Sequence, residues 1–141
     1  MTLKLSRVDL WTASIDDRAG GAADRLEPLS KAGANFEFVF SRRTPEQPGR
    51  GTLFVTPVKG AKVIQAAQSA GFAKPQNIHS VRIEGANKPG VTTMIARALA
   101  NGGISFRALS ASGIGSKFVG YVAFDTGEDA AKAVSLLKKL S

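Results

Sequence analysis

The sequence of 141 residues contains no cysteine and a single histidine, His79. Without cysteine the chain forms no disulfide, thiol nucleophile or cysteine-based metal site, and one histidine excludes a multi-histidine metal centre within one chain. No basic segment precedes an apolar stretch at the N-terminus, and no apolar run reaches the roughly 18 residues of a membrane-spanning helix. We therefore expect a cytoplasmic protein with no metal, no cofactor and no membrane contact.

The composition is that of a soluble globular protein, with 43% hydrophobic and 21% charged residues. A net charge of +8 would suit a nucleic-acid partner. The basic residues are dispersed, however, and form only short pairs at Arg42-Arg43 and Lys138-Lys139. Nucleic acid is therefore not the expected partner, although a nucleic-acid-binding ferredoxin-like protein remains the alternative.

Hydrophobic periodicity predicts a strand, a helix, two strands and a helix in each half of the chain. In the first half these are an extended segment over 3–15, a helix starting at Asp17 and ending at Gly33, strands over 36–40 and 52–56, and a helix over 57–71. In the second half they are an extended segment over 73–84, a helix from Val91 to Gly102, strands from Ile104 and over 117–126, and a helix over 128–140. Pro28 predicts a kink or an early break in the first helix.

The two halves align without a gap at an offset of 70 residues, which indicates an internal duplication. Identical pairs fall on turns, helix ends and core positions: Lys4/Lys74, Gly20/Gly90, Leu29/Leu99, Gly33/Gly103, Phe36/Phe106, Phe54/Phe124, Thr56/Thr126, Ala61/Ala131 and Lys62/Lys132. We divide the chain into repeats over 1–72 and 73–141. Residues 73–77 and 1–7 are predicted to be exchanged as the fourth strands, since sheet edges need to be paired.

One turn in each repeat has the composition of an anion site. Asn87-Lys88-Pro89-Gly90-Val91 joins an apolar strand to a helix, and Asp17-Arg18-Ala19-Gly20-Gly21 holds the equivalent place. Proline suits the first helical turn, and glycine allows close approach of the backbone. The free N–H groups at a helix start favour an anion such as a carboxylate.

The second turn resembles the motif of the ACT domain family. Asn87-Lys88-Pro89-Gly90-Val91, followed by Gly103-Ile104-Ser105, is similar to the family pattern N-(R/K)-P-G-V … G-(I/V)-N. Ser105 departs from the final Asn, and in the first repeat Asp17 replaces Asn while Ala19 replaces Pro. The resemblance implies an α+β fold of two ferredoxin-like βαββαβ repeats packed side by side. We expect one eight-stranded antiparallel sheet with helices on one face.

ACT domains bind amino acids at the interface between paired domains. The resemblance therefore implies a stand-alone tandem ACT-domain sensor, not an enzyme, with an amino acid or similar metabolite at the inter-repeat or inter-chain interface. A homodimer and regulation of a separate metabolic enzyme follow from the same resemblance. The implied ligand-binding residues are Asp17, Gly20, Gly21, Asn35, Asn87, Gly90, Val91 and Ser105.

Plainer interpretations of these residues stay open. Asp17 and Asn87 are of the types that act as helix N-caps, and the turn glycines suit tight packing. The segment 117–124 partly matches the central strand of RNA-recognition motifs, but Phe118 replaces a glycine and Val119 replaces a stacking aromatic residue. A protein-interaction module without a ligand is the remaining alternative.

Overall fold

The computed structural model describes residues 2–140. Its contacts divide the chain into two compact units. The first unit is Asp9–Pro75, and the second unit combines the chain from Gln76 onward with the N-terminal segment up to Val8. In chain order the elements are β1 (Lys4–Val8), β2 (Trp11–Asp16), α1 (Gly21–Lys31), β3 (Phe38–Arg43), β4 (Arg50–Thr56), α2 (Ala61–Ser69), β5 (His79–Ala86), α3 (Val91–Asn101), β6 (Ala108–Ile114), β7 (Lys117–Phe124) and α4 (Gly127–Lys138).

The first unit has a three-stranded antiparallel sheet in the order β2-β4-β3. Alternate residues of β2 are buried, as the period of a half-buried strand requires. The core joins β2 and β4 to both helices, and its buried members are Trp11, Ala13, Ile15, Leu29, Leu53, Val55, Ala67 and Phe72. Helix α1 continues past Pro28 to Lys31, so the early break expected at that proline does not occur.

The second unit has a four-stranded antiparallel sheet in the order β1-β5-β7-β6. Helix α3 confirms the helix predicted from Val91, and it buries Val91, Ile95 and Leu99, whose spacing places them on one helical face. These side chains share one core with strand residues such as Val81 and Val122. The α+β fold with βαββαβ-like repeats is therefore confirmed.

The expectation of a single eight-stranded sheet is wrong. Within residues 2–140 the strands form two separate hydrogen-bonded sheets of four and three strands. The extended segment over 3–15 is split, so that β1 pairs with β5 and β2 pairs with β4. In the segment 73–77 only Ala73 pairs, through two backbone hydrogen bonds with Thr12 of 2.8 and 3.0 Å. Pro75 has no N–H with which to extend that ladder.

The gap-free alignment of the halves also fails along one strand. Phe38 lies opposite Thr56 in the first unit, whereas Ala108, at the position equivalent to Phe38, lies opposite Ala123. Thr56 therefore corresponds to Ala123 and not to the identical Thr126. The physical cause is the hairpin turn, which spans residues 44–49 in the first unit but only 115–116 in the second.

No helix within the described residues is long and apolar enough to span a bilayer, and the longest, α4, has 12 residues.

Candidate functional site

Each unit has a cleft at the turn that joins a strand to a helix, next to the hairpin that follows this helix. The turn joins β2 to α1 in the first unit and β5 to α3 in the second. The second-unit cleft is lined by Asn87, Lys88, Gly90, Val91, Thr92, Thr93, Ala111, Ser112, Gly113 and Phe118. The first-unit cleft is lined by Ile15, Asp16, Asp17, Arg18, Ala22, Ser41, Arg42, Arg43 and Gly51. The strand registers make most of these positions equivalent: Asp17/Asn87, Arg18/Lys88, Ala22/Thr92, Ser41/Ala111, Arg42/Ser112, Arg43/Gly113 and Gly51/Phe118.

The two turns into the helices have the same backbone conformation. Gly20 precedes α1 with φ of 86°, and Gly90 precedes α3 with φ of 85°. This left-handed region disfavours residues with a Cβ atom, which explains the glycine in both turns. The next residue in each turn donates its N–H back across the turn, from Gly21 to the Arg18 carbonyl and from Val91 to the Lys88 carbonyl.

Asp17 and Asn87 are not helix N-caps, so that plainer interpretation is wrong. The N-cap residues are Gly20 and Gly90, and neither helix receives a side-chain cap hydrogen bond. Asp17 and Asn87 lie three residues earlier in the chain. Their side chains contact the hairpin of their own unit and leave the helix amides open.

Two amides at the start of α3 lack an acceptor. The first bond of the helical pattern is donated by Met94 to Gly90, at 2.9 Å. Within residues 2–140 the amides of Thr92 and Thr93 have no acceptor, and both residues line the cleft. Unpaired N–H groups and the positive end of the helix dipole together favour a carboxylate.

The Asn87 side chain is held in one orientation by the hairpin. Its backbone N–H donates to the Ser116 carbonyl at 2.9 Å, and Nδ2 donates to the Gly115 carbonyl at 3.1 Å. A carbonyl accepts only from the NH₂ end of an amide, which assigns the two ends of the side chain. Oδ1 has no donor in the described part of the chain and remains available as an acceptor.

The second-unit cleft is small and mostly uncharged. Its volume is about 210 Å³. Thr92, Thr93 and Ser112 contribute hydroxyl groups, Lys88 is the one charged lining residue, and the buried ring of Phe118 supplies apolar surface. A small metabolite with one anionic group fits this chemistry better than a large or strongly charged ligand.

The first-unit cleft is instead crowded with paired charges. Arg43 Nε binds Asp17 Oδ2 at 2.8 Å, and Asp16 is paired with Arg50. Arg18 donates to Asp24 Oδ2 at 2.6 Å, and this hydrogen bond raises the pKa of the Arg18 guanidinium above its ordinary value. The carboxylate of Asp17, one of the implied ligand-binding residues, already has a partner within its own unit.

The remaining predicted site residues lie outside the lining of either cleft. Gly21 is buried at the start of α1, where a Cβ would collide with the carbonyl oxygen of Asp16. Asn35 and Ser105 are exposed and precede β3 and β6. Sequence reasoning missed Thr92, Thr93, Ser112 and Gly113, although the two threonines that follow Val91 were a signal it could have used.

Strand β7 does not offer the stacking surface of an RNA-recognition motif. Its rings at Phe118, Tyr121 and Phe124 are 3%, 6% and 0% exposed. Bases stack on rings that lie exposed together. The local match to that motif therefore reflects shared strand composition.

Solved structures of low sequence identity share this fold. A protein from Bacteroides thetaiotaomicron matches with a TM-score of 0.76 at 17% identity, over 96% of this chain and 89% of that chain. The ligand-free regulatory subunit of aspartate kinase from Thermus thermophilus matches with a TM-score of 0.64 at 17% identity, over 97% and 95%. The corresponding subunit from Thermus flavus matches with a TM-score of 0.61 at 19% identity, over 98% and 94%. These likenesses show an ACT-like fold.

No protein-family model matches the sequence, and no curated protein matches it.

Proposed function

We propose that this protein is a regulatory sensor that binds an amino acid, or a similar small metabolite, in the second-unit cleft. The observation that carries the proposal is the pair of unpartnered amides at Thr92 and Thr93 beside the oriented side chain of Asn87. Together they offer donors for a carboxylate and an acceptor for an ammonium group within one small cleft.

Each polar group of the ligand has a partner in this arrangement. The carboxylate accepts hydrogen bonds from the Thr92 and Thr93 amides at the positive end of the α3 dipole. The ammonium group donates to Asn87 Oδ1. Lys88 favours the anionic end of the ligand through its charge, while Ser112 borders the space left for the ligand's side chain.

The role we propose is regulatory and not catalytic. The fold is shared with proteins named as regulatory subunits of aspartate kinase, which supports regulation of a separate metabolic enzyme by this chain. We further propose that the chain acts as a homodimer, and that ligand binding changes how chains pair.

A thermal-shift screen of the twenty amino acids at millimolar concentration tests the proposal. A ligand present at a hundred times its Kd stabilises the folded state by about 2.7 kcal/mol, so one or a few amino acids should raise the melting temperature. Hits are confirmed by calorimetric titration, with Asn87→Ala as the matched variant that should show a smaller shift and a weaker affinity. No shift with any amino acid would contradict the proposed function.

A further inference from the structure

We propose that Gly113 is a positioning residue: its missing side chain lets Asn87 lie against β6 with Oδ1 presented to the ligand. The inference rests on the proposed function of the second-unit cleft. It adds a specificity-determining residue that the turn motif itself does not contain, since Gly113 lies on a different strand.

With the Asn87 side chain in its observed orientation, there is no room for a Cβ at position 113. A Cβ built on Gly113 would lie 2.6 Å from Asn87 Nδ2 and 3.0 Å from both Cγ and Oδ1. Contacts under 3.0 Å force one partner to move, and the partner able to move is the end of the asparagine side chain. The Nδ2 bond to the Gly115 carbonyl would then be lost, and with it the orientation of Oδ1.

The backbone does not require glycine at this position. Gly113 is within strand β6 and is not among the glycines with positive φ. Glycine inside a strand weakens it and often marks the close approach of another group. Here the approaching group is the side chain of Asn87.

The first unit shows that the fold accepts a large side chain at the same place. Arg43 is equivalent to Gly113, and its guanidinium binds Asp17, which is equivalent to Asn87. The same pair of positions therefore forms an ion pair in the first unit, whereas in the second unit it holds an oriented asparagine side chain whose Oδ1 is unpaired. Glycine at 113 serves the cleft and not the sheet.

A double-mutant cycle on binding tests the inference, with the amino acid identified by the thermal-shift screen as the probe. Gly113→Ala should weaken binding roughly tenfold, the effect of losing one hydrogen bond to a charged group. Asn87→Ala should weaken it to a similar extent. The double variant should bind no worse than Asn87→Ala alone, because Gly113 acts only through Asn87.

Gly127→Ala is the matched control, since an added Cβ there meets only ordinary contacts, the nearest being His79 Nδ1 at 3.6 Å. It should bind as the wild type does. If Gly113→Ala also binds as the wild type does, or if its loss adds to that of Asn87→Ala, the inference is overturned while the proposed function stands.

A second readout keeps the inference testable if no amino acid binds the wild type, which would count against the proposed function alone. The Asn87 side-chain NH₂ signals in an amide NMR spectrum should show one bonded and one free proton. In Gly113→Ala, but not in Gly127→Ala, they should move to the values of a solvated asparagine. Unchanged signals would overturn the positioning role.

Discussion

The two clefts share the backbone conformation of their turns but differ in the polar side chains around them. Gly20 and Gly90 differ by one degree in φ, so both turns present a helix start in the same way. In the first unit Asp17 is paired with Arg43, whereas in the second Asn87 faces Gly113 and keeps an acceptor unpaired. The two repeats therefore have the same turn conformation, while the side chains around the turn differ.

The strands beneath the clefts show a second exchange. Ile15 lies opposite Gly51 in the first unit, and Gly85 lies opposite Phe118 in the second. A Cβ on Gly51 would lie 3.1 Å from Ile15 Cγ1, whereas a Cβ on Gly85 would lie 2.8 Å from Leu3 Cδ2. Each glycine therefore makes room for an apolar side chain, but that side chain belongs to the paired residue in the first unit and to Leu3 in the second, as close packing of interiors allows.

The largest expected effect concerns the cores, which should behave alike although the clefts do not. Leu29→Ala and Leu99→Ala remove equivalent side chains that are 0% and 1% exposed. Each should lower the free energy of unfolding by about 2–5 kcal/mol, since a buried cavity is left. Urea denaturation measures both. If either cost less than about 1 kcal/mol, the cores would not be equivalent.

The second prediction transplants the first-unit pair into the second unit. Asn87→Asp with Gly113→Arg should pair a carboxylate with a guanidinium beside α3 and weaken amino-acid binding at least about tenfold. The reciprocal control, Asp17→Asn with Arg43→Gly, alters only the first unit. Calorimetric titration should find the second-unit affinity unchanged in the control, and equal losses in both variants would contradict the comparison.

The third prediction compares two serines. Ser80 in the second unit is 1% exposed and its hydroxyl has no hydrogen-bond partner within the described residues, whereas Ser14 in the first unit accepts from Arg50 Nε at 3.0 Å. Ser80→Ala should stabilise the protein by about 1 kcal/mol, because an unpaired buried hydroxyl is unfavourable. Ser14→Ala should be neutral or slightly destabilising. Thermal melts that show Ser80→Ala to be destabilising would mean that its hydroxyl has a partner after all.

The smallest effect is a pH dependence confined to the second unit. The hydrogen bond from Arg82 lowers the pKa of Glu84 below its ordinary value of 4.5, and Lys117, 3.6 Å away, acts in the same direction. A lowered folded-state pKa stabilises the protein above the unfolded pKa, and this stabilisation is lost as pH falls through the folded pKa. Glu84→Gln should therefore melt slightly below wild type at pH 7, and the difference should be smaller at pH 3.

Ser14 occupies the equivalent place in the first unit and does not titrate, so Ser14→Ala supplies the control. Its difference from wild type should stay constant between the two pH values. A Glu84→Gln difference that was as large at pH 3 as at pH 7 would show that the effect is not due to ionisation.

Much of the fold could be predicted because its signals are local. The spacing of Val91, Ile95 and Leu99 predicts the buried face of α3, and the turn glycines predict two left-handed residues. Asp and Asn are residue types that favour N-cap positions, but this interpretation of Asp17 and Asn87 was wrong. The conformation of each turn places a glycine at the N-cap position instead. The hydrogen-bond register of β7 could not be predicted, because it depends on the length of the hairpin turn and hydrophobic periodicity does not report that length.

By itself the sequence determined the order of elements, the duplicated plan and the two glycine turns, since these follow from periodicity and from the backbone freedom of single residues. Only the tertiary structure decided which cleft keeps an unpaired acceptor at its turn. That decision depends on contacts between strands distant in the chain, which bring Arg43 to Asp17 and the bare backbone of Gly113 to Asn87. Such contacts cannot be predicted from local sequence, because they arise from the hydrogen-bond register and packing across the sheet.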